Sequence, residues 1–317
     1  MTATLPSASV VIATHLESRW DQLRSALLSL QHQSSLPSEI VVVVDNNPKL
    51  LSRAAANLGE ALVVENTEGP GLAGARNTGC AASSSEVVAF IDDDAEALPD
   101  WLERLLPPYL DHCVLGVGGA IEPLWPMRPR WFPPEFDWVV GCSYRGLPTR
   151  AASVRNLIGC NMSFRRLELI ESGGFKSGIG RTDAFPLPLG CEETELCIRM
   201  RRGLPGRELI YEPQAIVRHR VPIERRRWRY LAGRCYAEGL SKAQVAFTVG
   251  RRDGLSSERT YVLRTLPAAV ARSLSDFVLR RSPGGLRRSA CIVSGLLLTA
   301  AGYGYGRIAG RSPQPAP

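Results

Sequence analysis

The chain has 317 residues, 44% hydrophobic and 22% charged, with 38 basic against 31 acidic side chains and a net charge of +7. That length buries a full core, as one large domain or a domain with an extension, and the composition is ordinary for a soluble protein. The eight cysteines, at 80, 113, 142, 160, 191, 197, 235 and 291, include no CxxC pair and no His/Cys cluster at zinc-site spacing, which argues against a structural zinc site.

Met1-Thr2-Ala3-Thr4-Leu5-Pro6 does not read as a secretion signal, so a cytoplasmic chain with reduced, mostly buried thiols is expected. Ser9–Thr14 is a continuous apolar run that predicts a buried first strand. Residues 19–33 follow with apolar positions at 20, 23, 27 and 30, a helical spacing. Glu39–Val44 predicts a second strand that stops at Asp45-Asn46-Asn47-Pro48; Asp45 can accept a hydrogen bond from a base N–H or cap the next helix. Leu62–Glu65 is a short strand near the sheet edge. The segment Gly69–Gly79 leads into a helix reaching about Ser84. Its glycines are not a GxGxxG after the first strand, and no Gly-Lys-Ser/Thr loop is present, so neither a dinucleotide oxidoreductase nor a P-loop enzyme is supported. Here Arg76 and the helix-start N–H groups can face a phosphate or nucleoside, or the arginine is simply solvated beside a tight turn.

Val87–Ile91 is apolar without alternation, which suits a parallel strand buried on both faces. It ends in Asp92-Asp93-Asp94, three carboxylates at the sheet edge where open α/β sheets bind ligands. Such a cluster is eased by a divalent cation, and oxygen ligands suit Mg2+ or Mn2+; a charged turn capping the next helix is the plainer alternative. Residues 100–106 predict a helix stopped by Pro107-Pro108, and Val114–Ile121 another strand. Trp125, Trp131, Phe132 and Trp138 lie in a proline-rich loop, where they stack on an acceptor or pack as a satellite core, the second being favoured. Asn156–Phe164 predicts a strand and 166–172 a helix. Residues 173–190 read as a mobile lid. Glu192, Glu193 and Glu195 then open an amphipathic helix, where one of the first two can act as a general base. Residues 207–213 and 214–220 are two extended stretches, the second carrying His219.

Charge is uneven. Residues 199–234 hold eleven arginines against three glutamates, and residues 251–311 eleven against three acids, a field that attracts diphosphates, anionic headgroups or nucleic acid. Helices are predicted at 236–249 and 258–279. Ser289–Gly306 lacks charge but contains several glycines and lies near the short limit for a span; with Arg287, Arg288 and Arg307 at its flanks it fits an anionic surface better than a deep span, with packing on the catalytic domain as the alternative.

In combination, from Val10 to about Lys242, the chain resembles a family 2 glycosyltransferase of GT-A fold, inverting and dependent on nucleotide-sugars. The motifs that carry the resemblance are Ser9–Thr14, Val44-Asp45-Asn46, Ala75–Gly79, Phe90–Asp94, Gly159–Arg165, Glu192–Leu196 and the His219 region. It implies an α/β fold with a Rossmann-like mixed sheet flanked by helices and a helical C-terminal extension. It implies that Thr14, Glu17 and Asp45 border the nucleoside, that Arg76, Asp92 and Asp93 contact the nucleotide, that Asp94 and His219 hold Mg2+ or Mn2+, and that Glu193, with Glu192 as the alternative, is the base. By the same resemblance, Glu193 stands where many members of the family carry an aspartate.

The expected domains are a catalytic region 1–242, with a nucleotide half to about 121 and an acceptor half 122–242, and a basic helical extension 243–317. The expected partners are a nucleoside-diphosphate sugar, with a UDP-sugar favoured, and a hydroxyl acceptor that is a saccharide, a lipid-linked alcohol or a natural product. An anionic membrane surface is the third, and no nucleic acid is expected. Metal-dependent nucleotidyl transfer and noncatalytic carbohydrate or nucleic-acid binding are the rival readings.

Overall fold

The computed structural model describes residues 4–177, 190–250, 260–280 and 283–309. Residues 178–189, most of the segment read as a lid, lie outside the described residues. The chain divides into two units, one of residues 1–122, 148–182 and 192–220, the other of 123–147, 183–191 and 221–317.

The first unit is built on a nine-stranded mixed sheet in the order β3–β2–β1–β4–β8–β6–β9–β5, with β7 beside β9. The strands are β1 (Ala8–Thr14), β2 (Glu39–Val44), β3 (Leu62–Glu65), β4 (Val87–Asp92), β5 (Ala95–Ala97), β6 (Val114–Leu124), β7 (Ala152–Val154), β8 (Asn161–Arg165) and β9 (Glu208–Arg220). β1, β2, β3 and β4 pair in parallel, whereas β4 with β8, β6 with β8, and β9 with β5 and β7 pair antiparallel. The valine-rich runs of β1, β2 and β4 are buried throughout, because parallel strands with helices on both faces leave no solvent side. Among the helices, α1 (Trp20–Gln31), α2 (Pro48–Asn57), α3 (Leu72–Ala82), α4 (Trp101–Leu105), α5 (Arg166–Glu171) and α6 (Glu192–Gly203) belong to this unit. Gly79 lets α3 lie directly on the sheet, since a Cβ there would collide with Val11.

Some boundaries differ from the sequence expectation for identifiable reasons. A 3-10 turn, Glu17–Arg19, precedes α1. The strand expected from Asn156 starts only at Asn161, after a tight bridge between Ile158 and Asn161. The two stretches 207–213 and 214–220 are one strand, β9. Pro213 does not break it because it falls between the pairing with β7 at Leu209–Tyr211 and the pairing with β5 at Val217–His219.

The second unit carries the longer helices α7 (Trp228–Val249), α8 (Leu266–Arg280) and α9 (Pro283–Ala309). The glycines of α9 have a packing reason. A Cβ at Gly302 would strike the Tyr236 backbone of α7, and one at Gly239 of α7 would strike the Thr299 backbone, so the two helices meet backbone to backbone. No described helix is long and apolar enough to cross a membrane. The aromatic loop forms a satellite core: Trp125 packs on Phe132 at 5.0 Å, Trp131 on Phe132 at 5.5 Å and Trp131 on Trp228 at 6.0 Å.

Candidate active site

Strand order reverses between β1 and β4. From β1 the chain winds outward to β2 and β3, then returns across the sheet to β4, so the connections leaving β1 and β4 part and open a crevice at their carboxyl ends. Register places Ala13 beside Asp92, so Thr14 and the three aspartates share that opening.

The triplet is divided in its work. Asp93 is 3% exposed and points inward: Thr14 Oγ1 donates to it at 2.7 Å and Arg19 Nη1 at 2.6 Å. Burial raises its pKa and the Arg19 charge opposes the rise, the net direction being upward. Arg19 also reaches Asp94 at 3.1 Å. Burial alone would lower the Arg19 pKa, but Asp94 and Asp93 outweigh it and the net shift is upward.

Asp94 Oδ1 lies 3.3 Å from His219 Nε2. β9 delivers that histidine, with His219 paired to Ala95 across the β5 ladder and Arg220 N donating to Asp94 O at 2.9 Å. One ligand atom each from Asp92, Asp94 and His219 falls within 4.8 Å of the others. Two carboxylates and an imidazole, two of the three buried, fit Mn2+ or Mg2+ by donor chemistry, and the spacing lets one ion touch all three. The alternative of a capping turn does not hold: the strand β5 follows the triplet, and Asp100 stands at the N-terminus of α4.

Arg76 joins the triplet to the acidic helix. It is 3% exposed, lies 3.5 Å from Asp92 Oδ1 and 3.2 Å from Glu192 Oε1, and donates to the Gly159 carbonyl at 3.1 Å. Its guanidinium sits 5.4 Å from the Phe175 ring, which itself packs edge-on against Phe90 at 5.4 Å. A buried cation is tolerated here because carboxylates, a carbonyl and a ring face share it. Asn77 clamps the Phe175 backbone, accepting from its N at 2.8 Å and donating to its O at 2.9 Å. Solvation of Arg76 beside a turn is therefore excluded.

The acidic pair is inequivalent. Glu192 is 8% exposed and held by Arg76, whereas Glu193 is half-buried. Cys191, just before them, has φ 77°, a left-handed conformation unusual for a side-chain-bearing residue, as the chain turns into α6. Glu195, third in the series, is structural: burial alone would raise it, but hydrogen bonds from Arg199 and Lys176 outweigh burial and hold its pKa below the usual carboxylate range.

Asp45 does not cap α2; Asn47 does, accepting from Leu50 N at 3.0 Å. Asp45 instead accepts from Asn66 Nδ2 at 2.6 Å and Gly71 N at 2.8 Å, and Thr78 Oγ1 donates to Asn66 Oδ1 at 2.8 Å. This chain of bonds ties the glycine-rich loop across the end of β2. Glu17 is exposed on the turn after β1. Sequence reasoning missed Arg19, Asn66 and the space Gly159 leaves for Arg76, where a Cβ would come within 2.9 Å of the guanidinium. A basic residue in the turn after β1 was the available signal for Arg19; the other two depend on folding.

Comparison with known proteins agrees with this architecture. The model described as "Glycosyl transferase family 2" matches residues 9–171. The chain is 35% identical over 302 residues to the glucosyl-dolichyl phosphate glucuronosyltransferase of Haloferax volcanii, covering 94% of each. It is 29% identical over 239 residues to the succinoglycan biosynthesis protein ExoM of Rhizobium meliloti, covering 70% of each. Among solved structures, the mannosyltransferase PcManGT from Pyrobaculum calidifontis, in complex with GDP-Man and Mn2+, aligns with a TM-score of 0.52 at 17% identity, over 96% of this chain and 88% of that one. GalNAc-T7 with UDP, GalNAc and Mn2+ aligns with a TM-score of 0.54, over 77% of this chain and 50% of that one.

Proposed function

The chain belongs to glycosyl transferase family 2 and has the GT-A fold, and from that premise we propose that it moves a sugar from a nucleoside-diphosphate sugar to a hydroxyl acceptor, inverting the anomeric centre. One observation carries this reading: Arg76 spans from Asp92, in the Asp92–Asp94–His219 cluster, to Glu192 at the start of the acidic helix. The donor's phosphates and the acceptor's hydroxyl thus have opposed carboxylate sites, bridged by one buried cation.

A divalent ion held by Asp92, Asp94 and His219 would offset negative charge on the departing diphosphate. Thr14 and Arg19 fix Asp93 and hence the turn that aims its two neighbours. Asp45, at the end of β2 with the loop it anchors, is the candidate to contact the donor's nucleobase, and Thr14 and Glu17 are the candidates to border the nucleoside. Glu193 accepts the acceptor's hydroxyl proton as that oxygen bonds to the anomeric carbon and the bond from carbon to the diphosphate oxygen breaks. A single displacement of this kind inverts configuration. Glu192 serves as the anchor that keeps the start of α6 in register with Arg76.

For substrates, the name of the Haloferax relative supports a lipid-phosphate-linked sugar as acceptor and a glucuronosyl donor; the nucleotide proposed is UDP. Residues 1–242 would form the catalytic region and 243–317 a basic extension, in a cytoplasmic protein peripheral to the inner face of the membrane. The test is a screen of UDP-, GDP- and dTDP-sugars, UDP-glucuronate included, with Mn2+ or Mg2+ and a lipid-linked glucose acceptor. Release of nucleoside diphosphate with a product of inverted linkage supports the reading; release of pyrophosphate identifies nucleotidyl transfer instead and overturns it.

A further inference from the structure

Within the second unit, residues 134–145 and the helices α8 and α9 line a cavity of about 550 Å3, to which Arg145, Arg272 and Arg288 contribute. Two carboxylates accompany these three guanidinium groups. Glu135, 3% exposed, holds both Arg272 at 2.8 Å and Arg145 at 3.5 Å, and Asp276 holds Arg288 at 2.9 Å. One acid shared by two cations leaves the cavity with excess positive charge. The three arginine side chains remain 58%, 50% and 28% exposed, in the order 145, 272, 288, so donors are left for an incoming anion. A guanidinium fork matches phosphate oxygens.

Exposed apolar side chains follow directly in sequence after the cavity-lining Asp276. Phe277, Val278 and Leu279, at the end of α8, are 39%, 68% and 79% exposed, and Leu286, early in α9, is 50% exposed. Gly285 lies against the backbone of Ser273 and Phe277, which holds the ends of the two helices together. From Arg272 to Leu279 is about 10 Å at the rise of an α-helix. An α8 end turned into the bilayer would therefore carry Leu279 about that far below a phosphate held at Arg272. Residues 260–280 and 283–309 contain six arginines and one acid, Asp276. A free phosphate would account for the basic cavity and not for the exposed apolar side chains that follow it; a protein partner would account for the apolar side chains and not for a cavity lined by three arginines. A phospholipid accounts for both.

We infer that the paired ends of α8 and α9 dock on an anionic membrane, seating a phospholipid headgroup phosphate among Arg145, Arg272 and Arg288 while Val278, Leu279 and Leu286 enter the acyl layer. This rests on the peripheral-membrane part of the proposed function and requires no particular sugar. The test is flotation of the full chain with vesicles of phosphatidylcholine alone or mixed with phosphatidylglycerol, without donor or acceptor. Binding is expected only to the anionic vesicles. Arg272→Gln with Arg288→Gln should weaken it about 25-fold, from the roughly fivefold that each surface arginine contributes. Val278→Asp with Leu279→Asp, at exposed positions that spare the fold, should weaken it at least about tenfold. Equal flotation with both vesicle types, no flotation, unchanged binding in the tip variant, or stabilisation by inorganic phosphate without vesicle binding would each overturn the inference. Loss of sugar transfer alone leaves flotation intact, so failure of the transferase reading is seen separately.

Discussion

Replacing Glu192 and Glu193 singly by glutamine should separate anchoring from proton transfer. Glu192 is 8% exposed and pairs with Arg76, itself 3% exposed, at 3.2 Å. Glutamine keeps an acceptor oxygen and the side-chain length but removes the charge, leaving Arg76 with Asp92 at 3.5 Å and the Gly159 carbonyl at 3.1 Å. The loss is the charge-assisted part of one buried hydrogen bond, about 1–3 kcal/mol, below the cost of leaving the arginine wholly unpaired. Glu193 is half-buried, less enclosed than Glu192, and the same change there should cost less stability than at Glu192. Its effect should fall on turnover, by about 10²- to 10⁴-fold, the usual contribution of a positioned general base. Urea unfolding gives the first pair of numbers, and steady-state release of nucleoside diphosphate the second. If Glu193→Gln turns over like the unsubstituted chain while Glu192→Gln is as stable as it and inactive, the assignment is reversed and the reasoning from the Arg76 pair is wrong.

Two further outcomes follow from the same geometry. Asp94→Asn and His219→Ala should each weaken Mn2+ binding by roughly 10²-fold or more, read by calorimetry with the metal alone, and chelation should stop turnover until Mn2+ is restored; unaltered Mn2+ affinity in both would exclude this cluster as the metal site. Burial pushes Asp137 up to about 6 from 3.8 although Arg128 opposes it. The folded state therefore holds this proton through a window, about pH 4 to 6, in which the unfolded chain has released it. Stability from this group is present below that window and lost as pH rises through it, by about 3 kcal/mol. Asp137→Asn should accordingly gain about that much relative to the unsubstituted chain between pH 4 and 7 in urea titrations, and a pH-independent difference would show that the carboxyl is not protonated in the folded state.

The order of amino acids alone is enough to place the sheet's centre and the kind of chemistry at its edge. Continuous apolar runs at Val10–Ile12, Val41–Val44 and Val87–Ile91 can be satisfied only by burial on both faces, and acids that directly follow such runs must emerge at the strand ends. These features are local, so they are legible in order along the chain. The tertiary structure decided everything that depends on partners distant in sequence. Asp93 is a buried strut because Arg19 and Thr14 reach it, whereas Asp94 faces His219 because β9 passes beside β5. Arg76 could be read as solvated until Phe175, Gly159 and Glu192 closed around it. The glycines of α9 looked like weakness in a short apolar span and are the contact that brings it against α7. Three adjacent aspartates are chemically identical in a string of letters; they differ only when a fold gives each a different neighbour, because electrostatic energy depends on distance in space and not on separation along the chain.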